Sequence, residues 1–467
     1  MHAQQTQPAS SRSAFRTFCV SGMGTALEFY DFIIYGTAAA LVFPQVFFPQ
    51  MDHLTATLVA FSAFGAGFFA RPLGGLVFGH FGDRIGRQKV LVTTLLLMGL
   101  STFLIGCLPG HASIGVAAPI LLVLLRLIQG FAAGGEWGGA ALFGIESAPP
   151  GRRGLWGSFT SMGIGVGGIL GAAVFAIVSA AFNDNLVDFA WRIPFWLGGT
   201  LVLIGLYARL KAPAPAIMPE ARPARAPLAD ALRRRPRQLL LCTGVAFGYC
   251  TIAYIGSTFF LTYATQVGFG STQALMFDLA LSVAIVFSAP LFGHLSDRLG
   301  RRVVMGFGAV IMAMGLFAFF SLVGMKSFAI ALFAYCLTGL LMGATQGPIP
   351  ALLGEQFPRS MRYSGISACY QIGAALGGGT ASSIATAILI LTDHNPLGVA
   401  LYGAAALALV AVCSLMLRET SRLSMAQIDE EDASGAAVER CQGPALIHAK
   451  GTARSVTHEH RTQHPRA

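Results

Sequence analysis

Charge is scarce in this sequence. Asp, Glu, Lys and Arg make up 11% of the 467 residues, where a soluble domain carries about 25%. With 54% apolar residues and a mean hydropathy of +0.65, that shortfall excludes the two or three soluble domains that length alone allows. Paired cysteines are lacking too. The eight Cys show no C-x-x-C and no metal-ligand spacing, and most lie in apolar runs, so they read as small core hydrophobes. No His falls at mid-membrane, since His80 and His294 sit in charged segments between apolar runs, and a histidine proton relay is not expected. The first sixteen residues have no apolar core or cleavage pattern, so no signal peptide is expected. No nucleophile–base pair or metal cluster is visible, which argues against an enzyme and against a bound cofactor. The net charge of +10 is spread over loops rather than gathered in one patch, which argues against a nucleic-acid partner.

What is present is a series of long apolar runs separated by short charged segments, with 56 Gly to allow close helix packing in lipid. Twelve spans fit a bilayer core of about 30 Å. Their ranges are about 17–43, 54–80, 89–109, 114–144, 155–182 and 192–211, then 238–264, 272–295, 302–323, 328–353, 363–391 and 397–417. The nonapeptide Gly79–Arg87, read as a loop at the membrane surface, returns as Gly293–Arg301 with Gly-His-x-x-Asp-Arg-x-Gly-Arg in common. Glu146, Pro149 and Arg153 return as Glu355, Pro358 and Arg362. Two motifs repeated in order mean two related halves, an arrangement found in secondary transporters.

The expected architecture is all-α and integral to the membrane, as two pseudo-symmetric six-helix bundles at 17–211 and 238–417. Residues 1–16 form a tail, 212–237 a Pro- and Arg-rich linker, and 418–467 a polar tail read as disordered. The linker's prolines favour polyproline II, and 228–235 reads either as a short basic helix on anionic headgroups or as a solvated spacer. Lys and Arg of the short loops gather on one side, together with both termini and both nonapeptides. That side is expected to be cytoplasmic.

Ionisable groups at membrane depth are costly and are functional candidates by default. Glu28, Asp31 and Tyr35 share one stripe of the first span with Phe32. Arg126, Gln129 and Trp137 share a face of the fourth, with Glu136 on its flank. A buried Arg needs a carboxylate, and Asp31 or Glu28 is the expected partner of Arg126. Proton coupling follows if protonation and substrate binding both change that pairing; a static ion pair is the other reading. Arg71 reads as structural, snorkelling or paired with Glu136, and Asp278 as a solvated residue at the outer mouth. Tyr370 and Gln371, like Tyr249 and Tyr254, either bind a polar substrate or pack in the core. On the cytoplasmic side, Gly79, Asp83, Arg84, Arg87, Glu146 and Arg153 face Asp297, Arg301, Glu355 and Arg362. They are expected to form two ionic latches, or otherwise to set topology and packing. Glycine-rich fifth and eleventh spans suggest sliding contacts.

These residues carry a resemblance. Gly79-xxx-Asp83-Arg84-x-Gly86-Arg87 resembles the signature of the major facilitator superfamily. Glu28-Phe-Tyr-Asp31-Phe, Arg71-Pro72-Leu-Gly74, Arg126-x-x-Gln-Gly130, Gly134-Gly-Glu-Trp-Gly-Gly139, Trp191-Arg-x-Pro-Phe195 and Tyr370-Gln371 followed by Gly377-Gly-Gly379 resemble its metabolite:proton symporter family. That family includes permeases for shikimate, α-ketoglutarate, citrate, and proline or betaine. The resemblance spans about 17–417. It implies a monomeric rocker-switch importer that couples protons to a small organic acid, the chain being held in lipid. A zwitterionic osmolyte as cargo, a drug or metabolite exporter, and a sensor are the rival readings. The fifth span lacks the Gly-Pro pair of the superfamily's antiporters, and the tail lacks heptads.

Overall fold

The computed structural model describes residues 22–85, 87–134, 136–182, 185–211 and 227–430, with the side chains of 79–91, 136, 203–211 and 227–230 undescribed. Every regular element among them is helical. In a bilayer each backbone N–H and C=O must be satisfied within its own segment, and a continuous apolar run meets that condition only as a helix. The twelve long helices are α1 (Met23–Leu41), α2 (His53–Ile85), α3 (Arg87–Cys107), α4 (Ala117–Glu146), α5 (Arg153–Ala181) and α6 (Arg192–Lys211), then α7 (Pro236–Val267), α8 (Ser271–Leu299), α9 (Arg301–Gly324), α10 (Phe328–Gly354), α11 (Arg362–Leu391) and α12 (Leu397–Met416). Among the described residues, nine meet the length and composition of a membrane span. The other three, α1, α3 and α6, are 19, 21 and 20 residues long. Exposed Leu391, Leu240, Phe287 and Met314 give the outer surface its apolar character.

Within the first bundle α2 packs on α4, α1 on α5, and α3 on α6 and α4; within the second α8 packs on α10, α9 on α12, and α7 on α11 and α12. The bundles meet along two seams, α5 against α8 and α2 against α11. By the repeat, these seams are counterparts of each other. Small residues allow the approach: a Cβ on Gly65 would run into the backbone carbonyl of Gly379 across the α2–α11 seam. Two π-helical turns interrupt the second bundle, Ile255–Phe259 in α7 and Ala374–Gly378 in α11. Such turns re-aim the side chains beside them.

Both nonapeptides depart from the loop reading. Residues up to Ile85 continue α2, and Gly293 to Leu299 continue α8. The second break is one residue, Gly300 at φ 105°, before α9 begins at Arg301. Charged residues beyond the hydrocarbon core do not end α8; it ends at Gly300, whose positive φ suits glycine.

In the linker, 212–226 fall outside the described residues, and a short helix spans Pro227–Arg234. The folded unit runs to Arg422, so 418–422 are not tail: Thr420 is buried, and Glu419 accepts the Arg301 and Arg302 amides at 3.0 and 3.1 Å. From Leu423 a separate unit begins, where Ser424 and Gln427 cap one another reciprocally. The expectation for 431–467 lies outside the described residues.

Candidate functional site

The apolar faces of α1, α2 and α4 converge on two buried guanidinium groups. The α1 stripe is buried as its spacing predicts: Glu28, Asp31, Phe32 and Tyr35 are each at most 1% exposed. Arg126 on α4 is fully buried. Its guanidinium lies 4.5, 4.4 and 4.6 Å from the ring centres of Phe32, Tyr35 and Phe64. The contact expected with Asp31 is indirect. Arg126 Nη1 donates to Gln129 Oε1 at 2.5 Å, Gln129 Nε2 donates to Thr102 Oγ1 at 2.8 Å, and Thr102 lies 2.8 Å from Asp31 Oδ2 as its donor. Arg126 Nε reaches the Phe64 carbonyl at 3.4 Å, while Nη2 is buried without a hydrogen-bond partner.

Glu28 pairs with Arg71 at 3.4 Å. Arg71 is 1% exposed, its guanidinium 4.2 and 4.6 Å from the centres of Phe32 and Phe68. This corrects the reading of Arg71 as a snorkelling residue; the expected pairing with Glu136 lies outside the described side chains. The physical reason is that α2 runs on to Ile85, which places Arg71 more than three turns from its end. Asp278 is also corrected. It is 1% exposed in α8 rather than solvated at the mouth, and the neighbouring Phe277 stacks on Tyr335 with ring centres 5.2 Å apart.

Trp137, Tyr370 and Gln371 come together, across the bundle boundary. Trp137 and Tyr370 stack with ring centres 3.4 Å apart and planes 6° from parallel. Gln371 Nε2 donates to the Gly134 carbonyl at 2.7 Å. Tyr254, beside the α7 π-turn, packs on Phe64 and Phe68 at 5.7 and 4.9 Å, and Tyr249 lies 6.5 Å from Tyr370.

At the face bearing the nonapeptides, the charges pair between halves. Arg153 of α5 meets Glu355 at 3.3 Å, and Arg362 of α11 meets Glu146 at 3.6 Å. Arg301 bridges Glu355 at 3.2 Å and Asp297 at 2.7 Å. Asp297 also accepts the Gly154 and Leu155 amides at 2.8 and 3.0 Å. A carboxylate of the second bundle thereby caps a helix of the first, where the amides are unsatisfied and the dipole is positive. Arg152, at the N-cap itself, supplies no side-chain bond. The side chains of Gly79, Asp83, Arg84 and Arg87 lie outside the described residues.

Sequence reasoning missed Thr102 and the Arg71–Glu28 pair. Thr102 left no signal, because a hydroxyl in an apolar helix is ordinarily satisfied by its own backbone, and Met98 O is 3.0 Å away.

The model of the Major Facilitator Superfamily matches residues 22–287 and 249–457. The chain belongs to this superfamily. Among its relatives, the inner membrane metabolite transport protein YhjE of Escherichia coli (strain K12) is 40% identical, over 91% of this chain and 98% of that one. The shikimate transporter of the same strain is 38% identical over 85% and 93%, and its proline/betaine transporter 31% over 87% and 83%. A crystal structure of a D-xylose-proton symporter matches the fold with a TM-score of 0.70 at 18% identity, covering 87% of this chain and 98% of that one. As a superfamily member the chain is a multi-pass membrane transporter with twelve helices in two bundles, and not an enzyme.

Proposed function

We propose that this transporter imports a small organic acid with protons across the cytoplasmic membrane, as a monomer with both termini cytoplasmic. The observation carrying the reading is Arg126, fully buried among aromatic rings, with Nη2 unpartnered and a chain of side chains leading to Asp31. A substrate carboxylate takes Nη2 in a charge-assisted bond. Binding draws Arg126 away from Gln129, which releases Thr102, and Asp31 loses a donor that favours its charged form. Substrate and proton then bind together. Glu28 and Arg71 supply a second carboxylate and cation beside the same Phe32 ring. Tyr35, Trp137, Tyr370 and Gln371 enclose the site from both bundles. The charges around Asp297 and Glu355 hold the cytoplasmic side shut until the loaded carrier rocks.

A second reading is proton-coupled uptake of a zwitterionic osmolyte. The rings of Phe32, Tyr35, Phe64, Phe68 and Tyr254 around the guanidinium groups favour it, since aromatic faces also receive quaternary ammonium. The test uses purified protein in liposomes holding a pH-sensitive dye. Shikimate, α-ketoglutarate and betaine are added outside in turn. Lumenal acidification with an organic acid is the expected result, and acidification with betaine alone selects the second reading. Entry of labelled compound without acidification overturns proton coupling and the role of Asp31.

A further inference from the structure

At the nonapeptide-bearing end of the second bundle, away from the Arg126 site, lies a cavity of about 290 Å³. It is lined by Arg237, Arg302 and Arg418 with Gln356, Leu241 and Met416. The arginines come from three places in the fold: Arg237 from the first turn of α7, Arg302 from the first turn of α9, and Arg418 from just past α12. Two helix N-termini therefore add their positive ends to the three guanidinium groups. Arg302 is held there by a bond from Nη2 to the Leu415 carbonyl, while its Nε is buried without a partner. Gln356 Nε2 fixes the Arg418 backbone at 3.0 Å.

Among the described residues, Arg237 and Arg302 form no ion pair. Two neighbouring acids, Glu419 and Glu355, are already bonded. Glu419 accepts the Arg301, Arg302, Thr420 and Ser421 amides, and Glu355 is held by Arg153, Arg301 and Thr420. The like charges of Arg237 and Arg302 at one cavity repel unless an anion joins them. The short helix Pro227–Arg234, with Arg233, Arg234 and Arg235, leads directly into α7 and strengthens the same field.

We propose that this cavity binds the phosphate of an anionic phospholipid, with its acyl chains lying along the outer surface of α7, α9 and α12. Exposed Leu240, Val303, Leu415 and Met416 flank the arginines, so the cavity sits where headgroup gives way to hydrocarbon. Basic pockets between helices at a cytoplasmic face suit such headgroups. The shared chemistry is a phosphate anion, and the apolar flank is what selects lipid over free phosphate.

Native mass spectrometry of the full chain in detergent tests this, with phosphatidylglycerol, phosphatidylethanolamine and inorganic phosphate as separate probes. One phosphatidylglycerol is expected per chain, in preference to phosphatidylethanolamine. Removing one cation costs about fivefold in affinity, so Arg237→Gln with Arg418→Gln weakens binding roughly 25-fold. Arg237→Lys with Arg418→Lys keeps it. Met416→Glu leaves every arginine in place and expels the lipid by charge, which covers the case in which the Gln pair does not fold. Equal retention of phosphatidylglycerol by the wild type, the Gln pair and Met416→Glu overturns the proposal. So does binding of inorganic phosphate that phosphatidylglycerol does not displace.

Discussion

Arg126 and Asp31 are linked by hydrogen bonds through Gln129 and Thr102, and that separation has a measurable signature. Asp31→Asn keeps the shape of the side chain and removes its proton chemistry. Proton-driven accumulation in proteoliposomes is expected to vanish while exchange of labelled substrate persists; full accumulation by this variant contradicts the coupling role. Thr102→Val removes the hydroxyl at the centre of the relay. A buried hydrogen-bonding group left without its partner costs about 1–3 kcal/mol, so uptake should fall roughly tenfold or more without being abolished. Initial rates of labelled uptake at matched protein levels measure it. The α1 stripe was legible in the sequence because carboxylates at helical spacing inside an apolar run are too costly to leave facing lipid, and so must face a polar interior. The pairing was not. Which acid meets which arginine depends on how deep α2 and α4 sit, and α2 extends to Ile85 where its charges suggested a turn.

At the scale of elements, the nonapeptide is a helix end, a hinge and a helix start. Gly300→Ala forces a Cβ into φ 105°, ψ 146° and toward the Glu419 carboxylate; that region is open essentially to glycine alone and costs another residue about 1–3 kcal/mol. A lower unfolding temperature in detergent is expected, with α8 and α9 still formed. Glu419 is titratable in the same place. Burial alone raises its pKa, but the amides of Ser421, Arg301 and Arg302 outweigh that and hold it below the usual glutamate value. A carboxylate with a depressed folded pKa adds stability above its unfolded value of about 4.3, and loses it as pH falls through the folded one. Wild type should therefore be more thermostable than Glu419→Gln at pH 7, with the gap closing as pH falls below about 4. The twelve spans were legible from hydropathy to within a few residues, since lipid leaves an apolar run no other regular structure. The break at Gly300 was not, because nothing in the sequence distinguishes it from the other glycines of the repeat until its φ of 105° does.

Taken as a whole, the two halves are joined at the nonapeptide face by the ion pairs Arg153–Glu355 and Glu146–Arg362. Glu355 is the node, holding Arg153 from across the seam and Arg301 from its own bundle. Breaking a buried pair of this kind costs about 3–5 kcal/mol, because it leaves uncompensated charge behind. Glu355→Gln should open this face, read as longer spin-label distances between α5 and α8 there and increased thiol labelling on the same side. Unchanged distances contradict the latch.

The pairing of Glu146 with Arg362 and of Arg153 with Glu355 has a further consequence. These positions correspond in the repeat, so residue i of one half meets residue j of the other, and j meets i. That is the form of an isologous contact in a two-fold homodimer, here enclosed within one polypeptide. A single six-helix unit carrying one such Glu and one such Arg would close against a second copy of itself with the same four charges. Two such units joined end to end would keep the same self-complementary set of four charges.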